Sequence, residues 1–116
     1  MANSLHYRSH FLKNAGIEDL DSLVVAGMQN QPAFRAAVID EAGILDSDAV
    51  EKEVVAVGCG LLQTHPEIGA FFLECSDMPP YAAALQSAVR LPVFDFITMA
   101  NFVYSALART VFKGTY

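Results

Sequence analysis

FFLECSDMPPYAAAL (residues 71–85) decides the fold expected for this chain. An apolar run ends at Cys75, a short polar turn leads to two prolines, and an alanine-rich segment follows. This order is typical of a buried strand that passes through a turn into a helix. Pro79 and Pro80 fix the backbone where that helix begins, because proline suits a first helical turn. The segment therefore predicts a strand–turn–helix unit with Cys75 at the carboxyl end of the strand.

The same alternation extends over the rest of the chain. Apolar runs predict strands over residues 23–28, 68–75 and 91–96, and periodic segments predict helices over 4–14, 32–42, 46–64, 80–90 and 97–110. Gly16 is the expected stop of the first helix. Asp46 is the expected N-cap of the third helix, whose apolar residues repeat as a stripe along one face. Gly58 and Gly60 lie inside that helix, where each costs about 1 kcal/mol relative to alanine, so they indicate close packing against a neighbouring backbone. Strands alternating with helices predict an α/β fold with a parallel sheet.

Composition restricts the class of protein further. A chain of 116 residues with 53% hydrophobic content predicts one folded domain, residues 1–116. Thirteen acidic residues against seven scattered basic ones give a net charge of −6, so nucleic acid is not an expected partner. No apolar stretch approaches the roughly 18 residues of a membrane span, and the N-terminus lacks a signal peptide's apolar core. We therefore expect cytoplasmic residence, with the two cysteines as free thiols.

Cys75 is the best candidate for a reactive side chain. In open α/β sheets, ligands bind beyond the carboxyl ends of the strands, which is where Cys75 is predicted. Backbone amides at the following helix start, including those of Ser76 and Asp77, are able to hold a carboxylate. The helix dipole favours a thiolate, whereas the charges of Glu74 and Asp77 oppose it. A small apolar filler at a strand end is the competing interpretation.

Three further polar features each have two interpretations. His6 and His10 have a spacing that suits a metal, but no third ligand accompanies them, and no metal is predicted. Asp95 ends a strand on the ligand side, where it can touch a substrate or cap the last helix. The charged run over residues 51–53 is interpreted as a solvated helix face.

Two segments, LECSDMPPYAAALQ (73–86) and LPVFDFITMANFVY (91–104), closely resemble the C-terminal half of the aspartate/glutamate/hydantoin racemase superfamily. The most specific match is a Cys-(Thr or Ser)-x-x-Pro turn, formed here by Cys75, Ser76 and Pro79. In that family two similar α/β lobes face each other, and each contributes one cysteine. One thiolate removes the proton from the substrate's Cα, and the other thiol delivers a proton to the opposite face.

The resemblance implies a fold and a set of site residues. The fold would be a three-layer sandwich with a mostly parallel sheet, one lobe of a racemase-like protein that lacks its first strand. Cys75 would be the catalytic acid/base, and Ser76, Asp77, Asn3 and Ser4 would bind a small carboxylate substrate. No cofactor is implied.

The chain departs from that family in length, since the other lobe and its cysteine are missing. Cys59 does not replace the second thiol, because it is predicted on the apolar side of its helix. We therefore expect racemisation to need a complementing lobe or a homo-oligomer, and the broadly apolar helix over residues 97–110 fits such a contact. Two alternatives stay open: a single-thiol decarboxylase of the arylmalonate type, and an inactive module that binds a ligand or a partner.

Overall fold

The structure, a computed structural model, describes residues 12–114. Its helices are α1 (Pro32–Phe34, continuing as a π-helical segment over Arg35–Ile39), α2 (Ser47–Thr64), α3 (Ala82–Val89, after a 3-10 turn over Pro79–Tyr81) and α4 (Phe96–Leu107). Its strands are β1 (Phe71–Phe72) and β2 (Val93–Phe94), and a further 3-10 turn covers Leu20–Ser22. The order of helices and strands from α2 onward is the predicted one.

The two strands form a small parallel sheet with α3 as their connection. Phe71 lies opposite Val93, and Phe72 lies opposite Phe94. Side chains alternate across a strand, so Phe71 and Val93 point into the core while Phe72 and Phe94 stay 67% and 51% exposed. The predicted α/β class with parallel pairing is confirmed. The predicted three-layer sandwich is not, because the outer face of this sheet is uncovered in the part of the chain described.

The core lies between α2, α3 and the inner face of the sheet. Its most deeply buried side chains are Val50 of α2 and Leu85 of α3, each 1% exposed. The full cluster comprises Met28, Phe34, Val50, Val54, Phe71, Leu73, Met78, Tyr81, Leu85, Val89 and Val93. Both strands and the helices α2 and α3 contribute side chains to it. The Cys75 turn, which joins β1 to α3, is therefore attached to the buried core.

Helix α2 begins and packs as the sequence predicts. The Asp46 side chain accepts a hydrogen bond from the Ala49 amide at 3.0 Å, which is the expected N-cap. Gly58 is buried against α3, where an added Cβ would overlap the Cδ1 atom of Leu85. Gly60 has no neighbour within 4 Å of such a Cβ. Close packing is therefore present at Gly58, although against a side chain and not the predicted backbone, and the prediction is wrong at Gly60.

This difference predicts opposite effects of two alanine substitutions in α2. Gly60→Ala should stabilise the chain by about 0.5–1 kcal/mol, because alanine favours the helix and meets open space. Gly58→Ala gains the same helix propensity but overpacks against Leu85, so we expect it to be about 1–3 kcal/mol less stable than Gly60→Ala. Urea unfolding of both variants measures the difference. Equal stability of the two variants would contradict the packing of α2 against α3.

The strand predicted over residues 23–28 is wrong. Residues 23–27 have no regular structure, and Leu23, Val24 and Val25 are exposed. Their β-branched, apolar character favours a strand locally, but a strand also needs a partner for its backbone groups. No strand of the described chain pairs with this run. Only Met28, at its end, reaches the core.

The first predicted helix lies mostly outside the described residues. Residues 12–14 are helical, and the helix ends in a Schellman motif. The Ile17 amide donates to the Leu12 carbonyl at 3.0 Å, and the Gly16 amide donates to the Lys13 carbonyl at 2.9 Å. Gly16 has φ +83°, a conformation that favours glycine. The predicted stop at Gly16 is confirmed.

The solvated-face interpretation of residues 51–53 is wrong for Glu53. Its two carboxylate oxygens accept hydrogen bonds from the Ala33 and Phe34 amides, each at 2.8 Å. Those amides are otherwise unpaired donors at the start of α1, so Glu53 caps α1 from a neighbouring helix. Glu53 lies 20 positions from Ala33 and 19 from Phe34 along the chain, so this contact leaves no local pattern in the sequence.

Candidate active site

The turn that carries Cys75 follows directly from the pairing of β1 with β2. The Leu73 amide donates to the Phe94 carbonyl at 2.8 Å, which continues the ladder past the last strand residue. The Met78 amide then donates to the Cys75 carbonyl at 3.1 Å and closes the turn, and the buried Met78 side chain anchors it. The 3-10 turn over Pro79–Tyr81 leads into α3. The predicted strand–turn–helix unit around Cys75 is present.

The Cys75 side chain lies between core and solvent. It is half-buried and packs partly against the core cluster. Its thiol donates to Oδ2 of Asp77 at 3.7 Å, so a carboxylate lies beside the sulfur. Cys59 is also a free, half-buried thiol that packs against the core from α2, as predicted. The two cysteines therefore differ in that Cys75 lies in a turn beside a polar group.

The backbone of the turn offers free donors. Within the described residues, neither the Ser76 amide nor the Asp77 amide donates a hydrogen bond to the protein. Both side chains are exposed. Adjacent free amides beside a hydroxyl are suited to bind a carboxylate.

Two open concavities flank this turn. The first, of about 480 Å³, lies between the turn and the loop after α1, and its lining includes Glu41, Leu45, Ser76, Asp77, Pro80 and Tyr81. The second, of about 430 Å³, lies between the turn and the start of α4, and it is lined by Ser76, Pro79, Pro80, Asp95, Phe96 and Ile97. Ser76 and Pro80 line both, so the turn forms the ridge between them. The Cys75 side chain itself lines neither.

Asp95 fulfils the capping interpretation and also lies at the second concavity. Its Oδ1 accepts from the Thr98 amide at 2.8 Å, and the Thr98 hydroxyl accepts from the Asp95 amide at 3.0 Å. This is a reciprocal capping box at the start of α4. Asp95 is only 5% exposed and directly follows β2, the strand beside β1. Both Asp95 and the Cys75 turn are therefore at the carboxyl edge of one sheet, as predicted.

Two of the predicted site residues are not described by the structure, and two residues at the first concavity were not predicted. Asn3 and Ser4 lie outside the described residues. Glu41 and Tyr81 line the first concavity but were not predicted as site residues. Tyr81 is buried, with its hydroxyl 3.5 Å from the Ser47 hydroxyl, and Glu41 has φ +48°. A turn residue with positive φ and an aromatic residue in an alanine-rich helix start carry no sequence signal for a site.

Two further observations on the described residues concern a metal site and a membrane-spanning helix. Over residues 12–114, no group of three or more His, Cys, Asp or Glu side chains is placed to hold a metal ion. None of the helices described there is long and apolar enough to cross a membrane.

Comparison with known proteins connects the chain to one kind of enzyme. A protein of Emiliania huxleyi (strain CCMP1516) is 37% identical over 89 residues, which cover 77% of this chain and 17% of that protein. A second protein from the same strain is 33% identical over 100 residues, which cover 82% of this chain and 29% of that protein. A protein of Durusdinium sp. clade D is 32% identical over 91 residues, covering 78% and 30%. All three are named dimethylsulfoniopropionate lyases. No protein-family model matches the chain, and no solved structure matches it.

The dimethylsulfoniopropionate lyases are much longer than the matched segment. The chain spans less than a third of the length of each of these relatives. An 89-residue match within 116 residues must begin at residue 28 or earlier and end at residue 89 or later. It therefore includes residues 28–89, and with them the Cys75 turn.

The racemase resemblance is wrong in what it implies about family and reaction. The relatives are named lyases and not aspartate/glutamate racemases, so the chain is not assigned as a racemase lobe. The decarboxylase alternative is itself a kind of lyase, but the names of the relatives give a different substrate, so it is related to them only loosely. The physical reason is that a thiol at the end of a strand fits any reaction that begins with proton transfer at carbon. The turn does not encode whether the resulting carbanion is reprotonated or expels a leaving group.

Proposed function

We propose that this chain forms part of a lyase that cleaves dimethylsulfoniopropionate or a closely similar sulfonium carboxylate. The observation that carries the proposal is the 32–37% identity to dimethylsulfoniopropionate lyases over a segment that includes the Cys75 turn. The free thiol and free amides of that turn support it independently. The relatives supply the substrate class, and the turn supplies the groups for the reaction.

The proposed reaction is an elimination. A base removes a proton from the carbon next to the carboxylate, and those electrons form the new carbon–carbon double bond. The carbon–sulfur bond breaks with its electron pair going to sulfur, which releases neutral dimethyl sulfide and leaves acrylate. Atoms and charges balance without an oxidant or reductant.

Cys75 is the proposed base. A cysteine thiolate is competent to remove a proton from carbon near neutral pH, and a base of this kind contributes about 10²–10⁴ in rate. The hydrogen bond to Asp77 holds Cys75 in its thiol form, so this proton must leave before Cys75 acts as the base. The Ser76 hydroxyl and the amides of Ser76 and Asp77 would hold the substrate carboxylate and stabilise the charge that builds on it. The step as proposed draws on side chains and backbone amides.

Product formation tests the proposal. The purified chain is incubated with dimethylsulfoniopropionate, and dimethyl sulfide in the headspace is compared with acrylate in solution by proton NMR. We expect the two products in equal amounts, above the rate of a heat-denatured sample. Absence of both products would overturn the proposal for this chain and would favour an inactive binding module.

We also propose that a further protein segment or a second copy of this chain covers the exposed apolar surface. That surface comprises the outer face of the sheet and helix α4, whose exposed apolar side chains include Phe72, Phe94, Phe102, Val103 and Leu107. The radius of gyration of 17.0 Å, against about 13 Å for a compact domain of this size, supports an incomplete globule. A covering element here would complete a three-layer arrangement.

The mass in solution tests this second proposal. Light scattering of the purified chain should give a dimer or larger species, because an apolar surface of this extent is rarely left free. Leu107→Ser, on a side chain 81% exposed, should shift the mass toward the monomer without unfolding the chain. A well-behaved monomer at all concentrations would contradict self-association and leave only a segment of different sequence as the cover.

Cytoplasmic residence remains a proposal. The two free thiols support it, because reducing compartments keep cysteines unpaired.

A further inference from the structure

Asp95 has more burial and more charge than its capping role requires. Asparagine and serine cap helices as well as aspartate does, without a full charge. The Asp95 side chain is nevertheless almost fully removed from solvent at the base of α4. Removing a carboxylate from water is unfavourable unless a cation or several hydrogen bonds compensate.

The compensation within the protein is partial. Oδ1 of Asp95 accepts the Thr98 amide, and the start of α4 adds its dipole. In the described chain, no Lys or Arg pairs with Asp95, since the ion pairs there are Arg35–Asp40 and His65–Glu67. Oδ2 accepts no hydrogen bond from those residues. Asp95 is also one of the residues that line the second concavity, so it borders that open space.

The rest of that concavity suits a cation with methyl groups. Pro79, Pro80 and Ile97 provide apolar contact, and Phe96 provides an aromatic ring. Aromatic faces attract cations, including ligand cations that carry methyl groups. A carboxylate surrounded by apolar walls favours a large, weakly hydrated cation over a small hydrated one.

The same concavity reaches the proposed carboxylate site. Ser76, one residue after Cys75, also lines it. A dimethylsulfonium carboxylate has its two charges at its two ends and the reacting carbon between them. Its carboxylate would lie at the amide and hydroxyl of Ser76, and its sulfonium would then lie toward Asp95.

We propose that Asp95 binds the sulfonium group of the substrate and so selects zwitterionic sulfonium carboxylates over neutral-tailed carboxylates. This inference rests on the proposed function for the identity of the ligand. It adds a charge-selective subsite to the Cys75 turn. When the carbon–sulfur bond breaks, the cation becomes neutral dimethyl sulfide, which Asp95 no longer attracts. Product release from this subsite is thereby favoured.

A matched pair of ligands isolates the charge. Dimethylsulfonioacetate, which cannot undergo the proposed elimination, and 3-methylbutanoate have nearly the same shape, but only the first carries a positive charge in its tail. Isothermal titration of the chain with each ligand gives a binding preference. We expect the sulfonium ligand to bind about tenfold more tightly, a ratio of the size expected for one partly buried charge pair.

The matched variant is Asp95→Asn, which removes the charge while retaining an N-cap. We expect its preference for the sulfonium ligand to fall to near unity, with an unchanged helical circular dichroism signal. Glu41→Gln, which removes a carboxylate from the other concavity, should retain the preference. A preference that survives in Asp95→Asn, or equal binding of both ligands by the unmodified chain, would overturn the inference.

The outcomes separate this inference from the proposed function. Dimethyl sulfide release together with an unchanged preference in Asp95→Asn would overturn the role of Asp95 and leave the lyase standing. Loss of preference in Asp95→Asn, without any dimethyl sulfide from the unmodified chain, would support the subsite and overturn the lyase.

Discussion

Cys75→Ser is expected to lower dimethyl sulfide release by about a hundredfold to ten-thousandfold, the range found for loss of a positioned base. Serine retains the size and hydrogen-bonding capacity of the side chain, but its hydroxyl is a far weaker acid and is not ionised near neutral pH. The loss should therefore appear in kcat and not in substrate binding. Initial rates over a range of substrate concentrations separate the two parameters.

Cys59→Ser is the matched control for that measurement. Cys59 is also a free, half-buried thiol, but it packs in α2 and away from the turn. Its replacement should leave the rate unchanged in folded protein. An equal loss in both variants, or full activity in Cys75→Ser, would rule out Cys75 as the base.

Leu85→Ala should destabilise the chain by about 2–5 kcal/mol, the cost of removing a large buried aliphatic side chain and leaving a cavity. Leu85 is 1% exposed, and it fills the space that Gly58 leaves open between α2 and α3. Its loss would also loosen the helix that follows the Cys75 turn. For a chain whose core is this small, the loss is a large share of the total stability.

Ile44→Ala removes the same number of carbon atoms from an exposed position outside the α4 surface and is the matched control. We expect less than about 0.5 kcal/mol from it, because surface substitutions seldom exceed that value. Urea unfolding followed by circular dichroism measures both variants. Similar losses of stability in the two would contradict the assignment of Leu85 to the core.

Local signals in the sequence predicted local structure well. The Asp46 cap, the stripe of α2 and the stop at Gly16 depend on contacts within one or two turns, which the sequence displays directly. The strand expected over residues 23–28 failed because pairing is a property of two segments. Glu53 was misjudged for the same reason, since the amides that it caps belong to another helix.

The sequence predicted where the candidate site lies in the fold, but it did not predict which reaction the site would support. The order of strand, turn and proline located Cys75 and Ser76 at the sheet edge, and the structure brings Asp95 to the same edge. That turn does not distinguish a racemase from a lyase, and the racemase prediction was wrong because the relatives are named lyases. The second concavity depends on how α4 starts beside the turn, which no local pattern specifies.

The most direct test of the central claim is alkylation of the two cysteines in the presence of a substrate analogue. Dimethylsulfonioacetate carries the same charged groups but has no carbon from which elimination is possible. The rate of iodoacetamide modification is followed separately at Cys75 and Cys59 by peptide mass spectrometry, with Cys59 as the internal reference. We predict that saturating analogue slows modification of Cys75 several-fold and leaves Cys59 unchanged. Equal rates at Cys75 with and without the analogue would contradict a substrate site at the Cys75 turn.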